Sequence, residues 1–193
     1  VTVEREMFYP KNRRVWRKWL EKHHASSSGI WLMYYKKHTG QPTVSYDESV
    51  EEALCFGWID SKPAKLDDER HLLYFCPRKP KSVWSKLNKS RLERLLEAGL
   101  MAPAGLLAIE VAKKNGAWTA IDASENMLEP DDLVMQLERN SRALEFWRQF
   151  PPGVRKTILQ WILSAKRPET RAKRIEETVR LAAENVRSNQ WRQ

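Results

Sequence analysis

Residues 46–86 read YDESVEEALCFGWIDSKPAKLDDERHLLYFCPRKPKSVWSK, and the fold turns on this stretch. Ser45 just ahead of it and Glu48 three residues on make a capping box, in which a hydroxyl and a carboxylate satisfy two free N–H groups of a starting helix. The helix closes at Gly57, a residue that tolerates the left-handed conformation on which helices end. Its periodicity turns Val50, Ala53, Leu54 and Phe56 inward and Asp47, Glu48, Glu51 and Glu52 outward. Two strand-like runs are expected next, residues 58–66 and 71–76, joined by the polar turn Asp67-Asp68-Glu69-Arg70. A dense basic segment then leads into a new helix near Ser82.

Working outward, residues 11–24 predict a helix with Val15, Trp16, Trp19 and Leu20 on one face and basic residues on the other. The run Ser26-Ser27-Ser28-Gly29 breaks it, and residues 29–37 read as a buried strand. Downstream, residues 85–98 predict a helix stopped by Gly99. Pro103 opens another, whose Ala104, Leu107, Ala108, Val111 and Ala112 recur at i, i+3, i+4, i+7 and i+8 until Gly116. Residues 117–128 lack periodicity and read as a linker. From Pro130 the pattern is wholly helical, in four apolar faces: Leu133, Val134 and Leu137, then Ala143, Phe146, Trp147 and Phe150. Next come Val154, Ile158, Trp161, Ile162 and Ala165, and last Ala172, Ile175, Val179, Ala182 and Val186. That last seam suits packing within the chain or against a second subunit. The expected architecture is α+β: a small N-terminal sheet of at least three strands with flanking helices over 1–116, the linker, and an all-helical part over 129–193.

A chain of 193 residues buries roughly 70% of its unfolded surface. Hydrophobic content of 41% with nine Trp excludes a disordered chain. The first thirty residues carry Arg5, Lys11, Arg13, Arg14, Arg17 and Lys18 with no apolar core, unlike a signal peptide, and no apolar run is long enough to span a membrane. A reduced, cytoplasmic chain is expected, with Cys55 and Cys76 free and without zinc-ligand spacing. Cys55 lies at a helix C-terminus, where the dipole disfavours a thiolate, so it is not read as a nucleophile. The four histidines have no metal spacing, no phosphate-cradling or nucleophile-elbow motif occurs, and no cofactor is expected.

The net charge of +9 is unevenly spread. Cations concentrate in 11–24, 77–94 and 166–174, whereas 122–138 holds six carboxylates and no Lys or Arg. In PRKPKSVWSK, residues 77–86, Ser82 is placed to cap a helix, yet Lys79, Lys81 and Lys86 crowd its positive end. A phosphate or carboxylate held by the N–H groups and lysines, with Trp84 between them, resolves that conflict. A carboxylate of the chain itself, from Glu48, Glu51 or 122–132, resolves it equally. In AKRPETRAKRI, residues 165–175, Lys166, Arg167, Arg171 and Arg174 form a second basic cluster beside a proline-started helix, with Glu176, Glu177 and the acidic segment as internal partners. Trp58, Asp60 and Lys62 alternate on one side of a strand, an acid and an amine beside an aromatic.

The motifs YDESVEEALCFGWIDSK, PRKPKSVWSKLNKSR, MAPAGLLAIEVAKKNG and WILSAKRPETRAKRIEETV together resemble the YdeI/OmpD-associated family of bacterial proteins, over roughly residues 8–188, and the C-terminal part is similar to the helical domain named for it. The resemblance implies a cytoplasmic bacterial protein linked to bacteriocin protection, and it carries no reaction or catalytic residue onto positions here. Cationic bacteriocins would be repelled by the overall charge, so direct binding would fall to the acidic 122–138 segment. The leading expectation is a non-catalytic binding protein whose anion site joins Lys79, Lys81, Ser82, Trp84 and Lys86 to Lys166, Arg167, Arg171 and Arg174. Its ligand would be a small anion, a phosphate-containing molecule or nucleic acid. The alternatives are an enzyme on a small anionic substrate with Asp60 as acid/base, and a nucleic-acid binder with one continuous basic stripe.

Overall fold

A computed structural model describes residues 6–189. The chain divides into two compact units between Thr119 and Ala120. The first begins with a short strand β1 (Met7–Phe8), helix α1 (Arg13–His23), strand β2 (Ile30–Tyr35) and helix α2 (Tyr46–Cys55). Strands β3 (Trp58–Lys65) and β4 (Arg70–Pro77) follow, then helices α3 (Lys86–Glu97) and α4 (Pro103–Lys114). The four strands form one sheet in the order β1-β2-β4-β3, with β1 parallel to β2 and the other pairs antiparallel. β1 was not expected. Two residues pairing Met7 with Trp31 and Phe8 with Leu32 are too short to show a period.

The capping box is present: Ser45 Oγ accepts from the Glu48 N–H while the Glu48 carboxylate accepts from the Ser45 N–H at 3.0 Å. Glu48 is therefore held below the ordinary carboxylate range, chiefly by that backbone hydrogen bond. On β2, Ile30, Leu32 and Tyr34 are buried in alternation with half-buried neighbours. They join Trp16 and Leu20 of α1, Leu54 of α2 and Phe75 of β4 in the core of this unit.

Two expectations about side-chain direction are corrected. Glu52 was placed outward by periodicity but is 2% exposed. Its carboxylate takes Arg13 Nε at 2.5 Å and Arg17 Nη1 at 2.8 Å, two forks that α1 lays across α2. Lys62 does not continue the face of Trp58 and Asp60, because the β3–β4 register shifts between Asp60 and Pro63. Pro63 has no N–H for the ladder, and β3 is an edge strand, where such irregularities are tolerated.

The second unit is helical: α5 (Asp122–Glu125), α6 (Asp131–Glu138), α7 (Ser141–Gln149), α8 (Pro152–Leu163) and α9 (Pro168–Ala183). Leu133, Leu137, Trp147, Ile158, Ile162 and Ile175 lead its core. Within the stretch read as a linker, Ala117 is buried in the first unit's core and α5 is a single helical turn. The α9 seam stops earlier than its spacing suggests. Asn185 takes a left-handed conformation, and the Val186 N–H turns back to the Leu181 carbonyl at 2.8 Å, leaving Val186 beyond the helix. No helix among the described residues is long and apolar enough to cross a membrane.

Replacing Glu52 by Ala is expected to destabilise the protein by about 2–3 kcal/mol, since it strands two cations at a buried position while Glu51 and Glu21 keep part of their pairing. Chemical unfolding measures this. A loss below about 0.5 kcal/mol would mean that apolar contacts alone hold α1 on α2.

Candidate functional site

The basic segment after β4 does not enter a helix at Ser82. The Lys79 carbonyl accepts from the Ser82 N–H at 2.9 Å, a tight turn with Pro80 at its second position, and α3 starts only at Lys86 with Ser85 as its cap. Lys79 and Lys81 precede the Ser85 cap and are exposed, so the conflict with the helix dipole does not arise for them. Ser82 is half-buried, Lys86 is exposed on the first turn of α3, and Trp84 is 1% exposed. Among the described residues neither Lys79 nor Lys81 has a carboxylate within ion-pair distance. Glu48 is committed to its capping box and Glu51 to Arg13 and Arg94.

The residue that stands out is Arg78, which the sequence expectation passed over. Its backbone N–H donates to the Gly57 carbonyl at 2.9 Å, and its guanidinium lies 3.6 Å from the centre of the Trp84 ring. Nη2 donates to the Val83 carbonyl at 2.6 Å. Nε and Nη1 are shut off from solvent with no hydrogen-bond acceptor, and among the described residues no carboxylate pairs with Arg78. Burial pushes its pKa down to about 10, with Asp60 opposing the shift from a distance, so it stays cationic at neutral pH. This contrasts with Arg91, which is more deeply buried and closes on Asp47 and on Asn88 at 2.9 Å.

Arg78, Lys79, Pro80, Trp84 and Gly57 form one wall of a cavity of about 230 Å3. The rest of the lining comes from α4, through Ala104, Leu107, Ala108, Val111 and Ala112. In the stripe whose spacing predicted a core-facing surface, Ala112 is buried as expected and Ala104, Ala108 and Val111 are half-buried, yet Leu107 is 59% exposed, and Gly105 and Ile109 take the other buried positions. The helix is turned so that part of its apolar stripe faces the cavity. What allows this is a close approach of α4 to the end of α2. A Cβ on Gly105 would sit 2.3 Å from the Cys55 carbonyl oxygen, and one on Gly57, at φ +72, would sit 3.0 Å from the Ala104 carbonyl. The turn is tied to the same helix, since Asn115 Nδ2 donates to the Pro80 carbonyl at 2.7 Å. Trp118 closes on Trp84 at 5.4 Å between centres and carries Lys89 and Lys113 within cation–π range.

Asp60 accepts from Tyr46 Oη at 3.1 Å and is half-buried. Neither it nor Trp58 lines the cavity, and of Lys79, Lys81 and Lys86 only Lys79 does. Trp58 is buried, with its ring N–H on the His24 carbonyl. Burial raises Cys55 to about 11, and both cysteines are free thiols. Among the described residues no group of three or more His, Cys, Asp or Glu is placed to hold a metal.

In the helical unit the basic cluster is largely satisfied from within. Arg171 grips Asp132 of α6 with Nε at 2.6 Å and Nη2 at 2.8 Å, and these hydrogen bonds hold Asp132 below the usual carboxylate range. Arg174 donates to the Trp161 carbonyl and, at 3.0 Å, to Ser164 Oγ. Lys166 and Arg167 are exposed. A larger cleft of about 720 Å3 runs along α6 and α9 beside Arg171, Ala172, Ile175 and Val179. Its half-buried cation, Arg171, is already paired with Asp132.

Fold and geometry thus define a two-unit protein: an α+β unit with a cation- and aromatic-walled cavity, followed by a bundle of short helices. Residues 8–108 match the family model described as Domain of unknown function (DUF8412), and the chain belongs to that family. Residues 126–185 match the model described as Bacteriocin-protection, YdeI or OmpD-Associated, which places the C-terminal unit among the YdeI/OmpD-associated domains. The motifs that resembled one family across the chain are therefore divided between two models. No curated protein and no solved structure matches the chain.

Exchanging Arg78 for Met separates a binding residue from a strut. Burial penalises its charge by about 3 kcal/mol, and the Trp84 stack and Val83 hydrogen bond return a similar amount. Arg78→Met is expected to change stability by no more than about 1 kcal/mol. A loss of about 3 kcal/mol or more would make Arg78 a structural support.

Proposed function

We propose that this protein is a non-catalytic binding protein and that its N-terminal unit holds a small anion at Arg78, with Lys79 at the mouth of the cavity and Trp84 behind it. The observation that carries this reading is the arginine itself. In a chain where Arg13, Arg17, Arg91 and Arg171 each meet a carboxylate, Arg78 sits beside a cavity with two guanidinium nitrogens lacking any acceptor. A buried donor without a partner costs about 1–3 kcal/mol, and more when it is charged, so an anionic acceptor is the natural complement. Lys79 adds long-range attraction from an exposed position.

This narrows the site expected from the sequence. Lys81 and Ser82 belong to the flanking turn, Lys86 to the start of α3, and Arg171 and Arg174 to contacts inside the helical unit. Lys166 and Arg167 remain as exposed cations of that unit. Turnover is not part of this reading, because the acid expected for it, Asp60, is outside the lining of the cavity. A role in bacteriocin protection or OmpD association, as the C-terminal family's description words it, would on this reading be exercised through binding.

Thermal unfolding in the presence of chloride, acetate and phosphate tests the proposal. At least one anion should raise the midpoint in the wild type and fail to do so in Arg78→Met. The response to chloride or acetate, which do not titrate in this range, should be flat between about pH 6 and 9, because Arg78 keeps its proton throughout. A response identical in the variant, or one that titrates near pH 6.5 as a histidine would, would overturn the assignment.

A further inference from the structure

Resting on that reading, the geometry points to a short aliphatic monocarboxylate as the ligand, its carboxylate on Arg78 and its chain along the apolar stripe of α4. Three observations select this chemistry. The first is charge: the cavity has one half-buried cation, with Nε and Nη1 covered, and its only other ionisable wall residue, Lys79, is exposed. A phosphate dianion would bring three or more oxygens into a space otherwise walled by Ala104, Leu107, Ala108 and Val111, where most of them would find no donor.

The second is the wall itself. Those four side chains repeat with helical period on α4, and a stripe of this kind ordinarily packs into the core. Here Gly105 and Ile109 fill the core side, and the stripe lines the cavity together with Arg78 and Trp84. An apolar surface beside a half-buried charge complements a molecule that carries one charge and one apolar body. The third is size. About 230 Å3 corresponds to about eight water-sized groups, which is the heavy-atom count of hexanoate and well short of a nucleotide.

Because Nε and Nη1 are covered, the carboxylate meets them as the guanidinium slides a short way along the Trp84 ring toward the cavity. A short shift keeps the cation within the roughly 6 Å of the ring centre over which the attraction acts, and lengthens the Val83 hydrogen bond. No bond is made or broken.

Isothermal titration of the full chain with acetate, butyrate, hexanoate and decanoate, and with hexanol and inorganic phosphate, reads the inference directly. Affinity should rise about fourfold per methylene up to about hexanoate, then stop rising when the cavity is full. Hexanol should bind at least tenfold more weakly than hexanoate, and Arg78→Met should remove that preference. Ala108→Leu, which fills the cavity without touching Arg78, should abolish the chain-length dependence while leaving acetate binding in place. Equal affinity for acetate and hexanoate, or tighter binding of phosphate, would overturn the carboxylate inference and leave the anion site standing. Equal binding of hexanol and hexanoate, or no Arg78-dependent response to any anion, would overturn both.

Discussion

The approach of α4 to the C-terminal end of α2 governs the rest of the N-terminal unit. Gly105 faces the Cys55 carbonyl with no room for a Cβ, and Gly57 turns the chain beneath Ala104 in a left-handed conformation. The Ala102 N–H donates to that same Cys55 carbonyl at 3.0 Å, so a helix start is fixed to a helix end by backbone alone. Backbone-to-backbone contact of this kind sets both the height of α4 over the sheet and its rotation. A side chain at either glycine would push the helix outward, and overpacking of a fitted contact is itself destabilising. From that placement follow the burial of Ile109 and Ala112, the freedom of Leu107, and the apolar wall facing the end of β4.

Charge is managed differently at different depths of the same unit. Between α1 and α2 the buried Glu52 carboxylate is met by two guanidinium forks, and Glu51 links Arg13 to Arg94 of α3. Each cation there has a partner close enough to offset part of its desolvation. At the end of β4 the balance is unlike this. Arg78 has an aromatic face and one carbonyl, and its nearest carboxylate influence, Asp60, is occupied with Tyr46. A site that departs from the pairing rule followed elsewhere in the fold is where function is best sought. The helical unit offers the contrasting case, in which the fork of Arg171 beside the cleft is closed by Asp132.

The basic run 77–86 shows how a correct local signal can point to the wrong residues. Its lysines stood out because the helix was expected to start at Ser82, whereas Pro80 makes a turn and Ser85 provides the cap, so the lysines are solvated. Arg78, one residue past β4, drew no attention because an arginine after a strand ordinarily reaches solvent. Its burial depends on Trp84 and on α4, about six and twenty-six or more residues further along the chain.

Much of the architecture was written in local chemistry. The capping box at Ser45 and Glu48, the stop at Gly57, the alternation of residues 30–35 and the proline starts at Pro103 and Pro168 depend on neighbours a few residues away, and each element stands where those signals put it. What the sequence could not determine was every feature that needs two distant segments to meet: the β1 pairing, the inward turn of Glu52, the rotation of α4 and the isolation of Arg78. Periodicity says which residues share a face, but only packing says what that face touches. Whether a charge is solvated, paired or left without an acceptor is decided by the second segment, and in this protein that decision makes the site.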